Sequence, residues 1–276
     1  MKVKDIMTKD VAYAEVPGNA SEALELIISK NISGMPVVKR GTKELLGIVT
    51  RDDFSAHPEE TQLALLMTRD VVTITQDADV KEAAKLILEK GFRRIPVVSN
   101  GELVGIVTVR DVVGRALGAM EIEDTVGKYI RKDVASIWEG TPLKVCYEIM
   151  RLANVRAMPV LDDNGKLVGM VADTDLLKVT QVTESTEKSE LSAATEGDRW
   201  SWDSKNVIYI TRKTLELPNK LVKDIMVRQV ISATKKTPVT ECAKKMAKAR
   251  IEQIPLIDAE GNIIGLVRDV DILRAL

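Results

Sequence analysis

The stretch GFRRIPVVSNGELVGIVTVRD, residues 91–111, sets the frame for the whole chain. Gly91 can end a helix in the left-handed conformation, and Pro96 cannot continue one. Val97-Val98 then form a short apolar run suited to a buried strand. Ser99-Asn100-Gly101-Glu102 reads as a turn and residues 103–107 as a second, richer strand. Thr108-Val109-Arg110-Asp111 reads as the entrance to a helix whose apolar positions include Val112, Val113 and Leu117. The unit is helix, strand, turn, strand, helix.

This unit occurs four times, anchored at Pro36, Pro96, Pro159 and Pro255. A glycine follows each proline by 11, 9, 10 and 10 residues, at Gly47, Gly105, Gly169 and Gly265. Six residues beyond each glycine stands an aspartate: Asp53, Asp111, Asp175 and Asp271. Upstream lie KDIM (4–7), LLM (65–67), GKYI (127–130) and KDIM again (223–226). Copies within one chain can be compared directly, and this periodicity is the strongest signal the sequence carries.

The anchors stand 60, 63 and 96 residues apart, so roughly 33 residues are inserted before the last copy. The boundaries read as repeats at 1–60, 61–120, 121–180 and 220–276, with a polar insertion at 181–219. Its first half, rich in Ser, Thr and Glu, reads as a mobile connector, and VIYIT as one β-prone run. Trp200 and Trp202 read as an aromatic pair that pins that connector to the body, or as a ligand lid or partner contact.

With 276 residues, 45% hydrophobic and 29% charged, the chain supports one large or two medium cores. A net charge of -1 argues against a general nucleic-acid or anionic-membrane binder. No apolar run approaches the ~20 residues that cross a bilayer, and MKVKDIMTKD lacks the apolar core of a signal peptide; a cytoplasmic protein without membrane insertion is expected. His57 is the only histidine, which removes His-based triads and His-rich metal sites. Cys146 and Cys242 stand where the other two copies have Ala23 and Ala83, a position that reads as small and buried on a helix. Helix stripes are expected at Ala23, Leu24, Ile27 and Ile28 and at Val80, Ala83, Ala84, Ile87 and Leu88. Thr141-Pro142 and Thr237-Pro238 read as helix entrances, with Thr as cap and Pro in the first turn.

Thr50-x-x-Asp53 and Thr108-x-x-Asp111 sit at strand-to-helix junctions. A carboxylate there can accept two neighbouring hydroxyls beside backbone NH groups that favour anions, which suits a ribose and a phosphate. The same spacing is a capping box, and both readings stand. The aspartate persists where the threonine is replaced by Ala172 or Arg268. Asp173-x-Asp175 and Asp269-x-Asp271 would hold Mg²⁺ only with a nucleotide supplying further oxygens. No Gly-rich phosphate loop, activated nucleophile or zinc motif is present.

The ordered set, apolar-x-Pro-Val in three copies and Pro-Leu in the last, then Gly-x-Val-x-x-x-Asp, resembles the CBS domain family over nearly the whole chain outside the insertion. The resemblance implies an α+β fold of four CBS repeats (β-α-β-β-α), paired into two Bateman modules in a disc-like arrangement. It is similar to archaeal homologues of the AMP-activated protein kinase gamma subunit. It implies that the aspartate binds ribose hydroxyls, with the threonine or a neighbouring hydroxyl on ribose or phosphate: Asp53 with Thr50, Asp111 with Thr108, Asp175 with Thr174, and Asp271, where Arg268 either meets a phosphate or fills the cleft. Residues after each leading segment, Thr8, Thr68 and Arg131, would lie beside the adenine of the neighbouring repeat's site. Basic residues before the anchor proline, Arg93, Arg94 and Arg156, would reach phosphates. The expected clefts join Thr50, Asp53, Arg93 and Arg94 first, and Arg156 with Asp271 second. The function implied is a sensor of AMP, ADP and ATP, not itself an enzyme, acting on a regulated enzyme or transporter. Alternatives are a sensor of S-adenosylmethionine or a related adenosyl ligand, a scaffold without ligand, and a Mg²⁺-dependent nucleotide hydrolase. A homodimer stays open.

Overall fold

The computed structural model describes residues 1–191 and 206–276, so Trp200 and Trp202 lie outside the described residues. Repeat one comprises α1 (Val3–Ile6), β1 (Ala14–Val16), α2 (Ala20–Ser29), β2 (Gly34–Lys39), β3 (Leu45–Thr50) and α3 (Arg51–Ala56). Repeat two follows with α4 (Leu63–Leu66), β4 (Ile74–Thr75), α5 (Val80–Lys90), β5 (Arg94–Ser99), β6 (Glu102–Thr108) and α6 (Val109–Asp111). The helix expected after Asp111 widens at once into a π turn over Val112–Ala116. Repeat three opens with a tight turn at Val126–Tyr129 and continues through β7 (Ile137–Trp138), α7 (Leu143–Ala153), β8 (Ala157–Leu161), β9 (Leu167–Ala172) and α8 (Asp173–Val179). Then β10 (Gln181–Leu191) pairs antiparallel with β11 (Asn206–Glu216). Repeat four has a tight turn at Val222–Asp224, α9 (Val239–Ala249), β12 (Gln253–Ile257), β13 (Ile263–Arg268) and α10 (Asp269–Ile272).

Three repeats build one sheet each, ordered β1-β2-β3, β4-β5-β6 and β7-β8-β9, the first pair parallel and the second antiparallel. In repeat four a single parallel bridge, Ala233 to Leu256, replaces the first strand. Gly91 ends α5 in the left-handed region at φ 72°, as its sequence position predicts. Ala23, Ala83, Cys146 and Cys242 are all buried on the inner faces of their helices.

The leading segments are exchanged. Thr68 of repeat two exchanges both backbone hydrogen bonds with Ile48 of repeat one (2.9 and 2.9 Å), and Thr8 of repeat one does so with Ile106 of repeat two (2.9 and 3.0 Å). The same exchange joins Val227 to Met170 (2.8 and 3.0 Å) and Arg131 to Leu266 (2.8 and 2.9 Å). It explains two recurring residues. Pro36, Pro96 and Pro159 face Ile48, Ile106 and Met170, whose NH and CO groups turn away to the exchanged segment; the ladder asks no donor of the proline. A Cβ on Gly47 would sit 2.7 Å from the Thr68 carbonyl oxygen, and one on Gly105 or Gly169 2.6 Å from the sulfur of Met7 or Met226. Glycine is what lets the segment lie on the strand.

The chain divides into two compact units, Met1–Lys132 with Ile231–Asp258 and Ile264–Leu276, and Asp133–Val230 with Ala259–Ile263. In the first, one apolar core contains Val80, Ala83 and Ile87 of α5 together with Val239, Ala243 and Met246 of α9, so repeats two and four share an interior. A second core there joins Ile27, Met35 and Val37 of repeat one to Leu63 of the leading segment of repeat two. The second unit has its own core around Leu143, Cys146, Met158 and Val222.

Three sequence expectations shift. The first strands, which the apolar runs at 11–16 and 71–75 suggest, are shorter, β1 starting at Ala14 and β4 at Ile74. Pro142 and Pro238 occupy the cap position itself, one residue before the helix, and neither threonine caps it; Thr237 accepts instead from the Thr234 NH at 3.0 Å. Residues 181–191, read as connector, form β10, because an eleven-residue register with β11 satisfies their backbone despite a polar composition. No helix among the described residues is long and apolar enough to cross a membrane.

Candidate functional site

The four aspartates fall at one place in the fold, three residues into the helix that follows the last strand of each repeat. The backbone there is built alike. The carbonyl of the residue three before the anchor proline accepts the first helical NH: Ser33 from Arg51 (3.1 Å), Arg93 from Val109 (3.0 Å), Arg156 from Asp173 (2.8 Å) and Glu252 from Asp269 (2.8 Å). Each aspartate also takes the NH at the end of the strand through Oδ2: Thr50 (2.7 Å), Thr108 (3.0 Å), Ala172 (3.1 Å) and Arg268 (3.3 Å). The capping reading of the motif therefore holds, and it leaves Oδ1 to distinguish the copies.

In repeat one the Thr50 hydroxyl donates to Asp53 Oδ2 at 2.7 Å, and among the described residues no other side chain engages Asp53. In repeat two Thr108 donates to Asp111 Oδ2 at 2.6 Å, while Arg115 approaches Oδ1 at 3.7 Å. Arg115 also donates to the Ile6 carbonyl at 2.6 Å, tying the exchanged segment to the Asp111 motif. In repeat three Lys178 donates to Asp175 Oδ1 at 3.0 Å; Thr174 is exposed, its NH held by Asp173 Oδ1 at 2.6 Å. In repeat four Arg268 grips both oxygens of Asp271, Nε to Oδ2 at 3.0 Å and Nη2 to Oδ1 at 3.1 Å. This pairing holds the Arg268 guanidinium above its ordinary pKa. Sequence reasoning passed over Arg115 and Lys178, although a basic residue four or three positions after the aspartate is a readable helix spacing.

The two arginines before Pro96 part company. Arg94 Nη2 donates to the Ser33 hydroxyl, and its guanidinium lies against Gly34, whose ladder partner is Thr50; Arg94 thus lies on the Thr50 side. Arg93 turns instead to repeat four, pairing with Asp269 (2.6 and 3.3 Å) and Glu252 (3.1 Å). Asp269 is 4% exposed, and burial pushes its carboxyl up further than Arg93 pulls it down. Burial opposes the charge on Arg93 too, but Asp269 and Glu252 outweigh it and raise its pKa. Of the expected cleft of Thr50, Asp53, Arg93 and Arg94, Arg93 is instead engaged by charge-assisted contacts to Asp269 and Glu252 of repeat four.

Thr8, Thr68 and Arg131 lie on Ile106, Ile48 and Leu266, each on the last strand of the neighbouring repeat and close before its aspartate motif. Arg156 is exposed and belongs to the second unit, whereas Asp271 belongs to the first. Among the described residues no group of three or more His, Cys, Asp or Glu side chains converges as a metal site. A cavity of about 340 Å³ lies in the second unit at the start of α7, lined by Lys144, Gln181, Glu216, Pro218 and Lys220 among others; it shares no residue with the four motifs.

The CBS domain model matches residues 3–60, 63–118, 126–181 and 222–276. The chain belongs to the CBS domain family. The crystal structure of a conserved protein from Pyrococcus horikoshii is similar over 99% of both chains, with a TM-score of 0.71 and 34% identity. Protein MJ1225 of Methanocaldococcus jannaschii is 31% identical over 194 residues, 64% of this chain and 69% of that one. Its crystal structure, proposed to be that of an archaeal homologue of g-AMPK, superimposes over 99% of both chains with a TM-score of 0.69 and 22% identity. The four CBS repeats and the mixed α+β fold expected from the sequence are thereby shown.

Proposed function

We propose that this CBS protein is a regulatory ligand sensor that binds adenine nucleotides, with the repeat-one cleft as its principal site. The observation that carries the reading is Asp53: its Oδ2 is fixed by the Thr50 backbone and hydroxyl, while Oδ1 is left without a side-chain partner among the described residues. A carboxylate so held presents an acceptor to a ribose diol without first giving up a salt bridge. Arg94 supplies positive charge beside Thr50 for a phosphate, and the Thr68 segment on Ile48 lines the adenine side. AMP, ADP and ATP would share the ribose contact and differ at Arg94, which is the differential interaction a sensor requires. Mg²⁺ would enter with the nucleotide phosphates. A regulated enzyme or transporter would read the change, and the chain itself is assigned no catalytic step.

Thermal unfolding tests this directly. A ligand that binds the folded state at 100 times its Kd stabilises it by about 2.7 kcal/mol. AMP, ADP or ATP is expected to raise the Tm of the wild type, and Asp53→Ala is expected to lose the repeat-one share of that rise. A rise with S-adenosylmethionine alone would move the assignment to an adenosyl sensor, and no rise with any of the four would leave the scaffold reading.

A further inference from the structure

The fourth repeat departs from its copies in one respect that decides what it can bind. Where repeats one and two carry Thr50 and Thr108, it carries Arg268. That arginine, with a side chain 41% exposed, turns back onto the aspartate of its own motif. Its Nε and Nη2 lie 3.0 and 3.1 Å from the two oxygens of Asp271, a residue only 5% exposed. Beside it Asp269 is closed in the same way by Arg93, at 2.6 and 3.3 Å. The acceptor atoms that Asp53 offers to solvent are, in Asp271, already satisfied by the protein.

We propose that Arg268 is an internal stopper, a specificity-determining residue that keeps the fourth CBS cleft from taking a ribosyl ligand and so limits the number of nucleotides the chain binds. The inference rests on the nucleotide reading given above. A ribose diol reaching Asp271 has to displace a two-point guanidinium contact with neutral hydroxyls, which donate hydrogen bonds but bring no positive charge in exchange. A phosphate that drew Arg268 away would leave Asp271 buried without its cation, so the arginine is not a ready phosphate clamp either. The cations near the other aspartates are weaker rivals. Lys178 on Asp175 and Arg115 on Asp111 have side chains 73% and 55% exposed, and each reaches its aspartate at one point only, at 3.0 and 3.7 Å, Arg115 being held instead by the Ile6 carbonyl. Water screens such pairs, and an incoming ligand displaces them at little cost. The rest of the fourth cleft is in place: Arg131 pairs with Leu266 as Thr8 pairs with Ile106, and Gly265 leaves room for the segment.

The test restores the missing threonine. The number of AMP sites per full-length chain would be measured by equilibrium dialysis for wild type, Arg268→Thr, the double variant Arg268→Thr with Asp271→Asn, and Asp53→Asn. Arg268→Thr is expected to bind one AMP more than wild type, the double variant to return to the wild-type number, and Asp53→Asn to bind one fewer. Circular dichroism verifies folding, and Arg268→Gln, which keeps the length and removes the charge, stands in if the threonine variant does not fold. Unchanged stoichiometry in the folded Arg268 variants, with a site lost in Asp53→Asn, would overturn the stopper while leaving the nucleotide reading intact. Failure of wild type and every variant to bind AMP would remove the nucleotide reading, and the stopper with it.

Discussion

Asp53 and Asp271 occupy equivalent positions in two copies of one motif, yet one keeps an open acceptor and the other is bound on both oxygens by Arg268. At the residue that pairs with the aspartate the difference is Thr50 against Arg268, three positions upstream, and under the proposed reading it separates a cleft that accepts a ribose from one that does not. Hydrogen bonds to a charged group contribute about 1.5–3 kcal/mol, so Asp53→Asn is expected to weaken AMP binding at its cleft about 10- to 100-fold, measured by titration, with little change in Tm without ligand. The aspartates were legible in the sequence because they recur at fixed spacing from glycine. The partners of their second oxygen were only half legible: Arg268, Lys178 and Arg115 lie within four residues, but whether a flexible cation turns toward its neighbour depends on what else surrounds it. Arg93 shows the limit. Its partners, Asp269 and Glu252, lie in another repeat, and no local spacing announces them.

At the scale of elements, the helix positions and the glycines carry separate predictions. Cys146 on α7 and Cys242 on α9 are buried, and burial pushes their thiols up to about 11 and about 12. Because the thiolate is the reactive form, native thiols about two and three pH units above the ordinary value are about a hundredfold and a thousandfold less ionised at pH 8. Alkylation at pH 8 should therefore be slow in the folded protein and become fast on addition of denaturant; fast native labelling would contradict the burial. The repeated glycines should not be equal. A Cβ on Gly47 meets the backbone carbonyl of Thr68, whereas one on Gly105 meets first the flexible end of Met7. Overpacking costs about 1–3 kcal/mol, and Gly47→Ala is expected nearer the upper end and Gly105→Ala nearer the lower, read as the difference in Tm. The recurrence of these glycines was visible in the sequence; their cause, a segment borrowed from the paired repeat, was legible only through the family resemblance, since spacing does not say where a segment packs. β10 was missed for a related reason: its stabilising ladder lies with residues 206–216, and composition reports on side chains rather than on backbone partners.

For the whole molecule, four copies of one unit gave the fold class, because each copy must find cover for an apolar face and the sequence repeats the means of doing so. What repetition does not disclose is which copies share an interior. The core joining α5 and α9 places repeats two and four in one unit, and the pair of Arg93 with Asp269 lies in that same unit. Arg93→Met should leave Asp269 buried without a cation. Breaking such a pair from one side costs about 3–5 kcal/mol when it is fully buried. Since the Arg93 side chain is 34% exposed, the expected loss lies below that range. Adding Asp269→Asn should recover part of the loss, read in urea unfolding.

The central claim is that adenine nucleotides compete for the cleft built on Asp53. The most direct measurement is calorimetric titration of the full-length protein with AMP, alone and in the presence of saturating ATP. The account predicts saturable AMP binding, an apparent affinity lowered by ATP in proportion to its concentration over its own Kd, and loss of the repeat-one share of that competed binding in Asp53→Asn. AMP binding that ATP leaves unchanged, or no binding of either nucleotide, would contradict it.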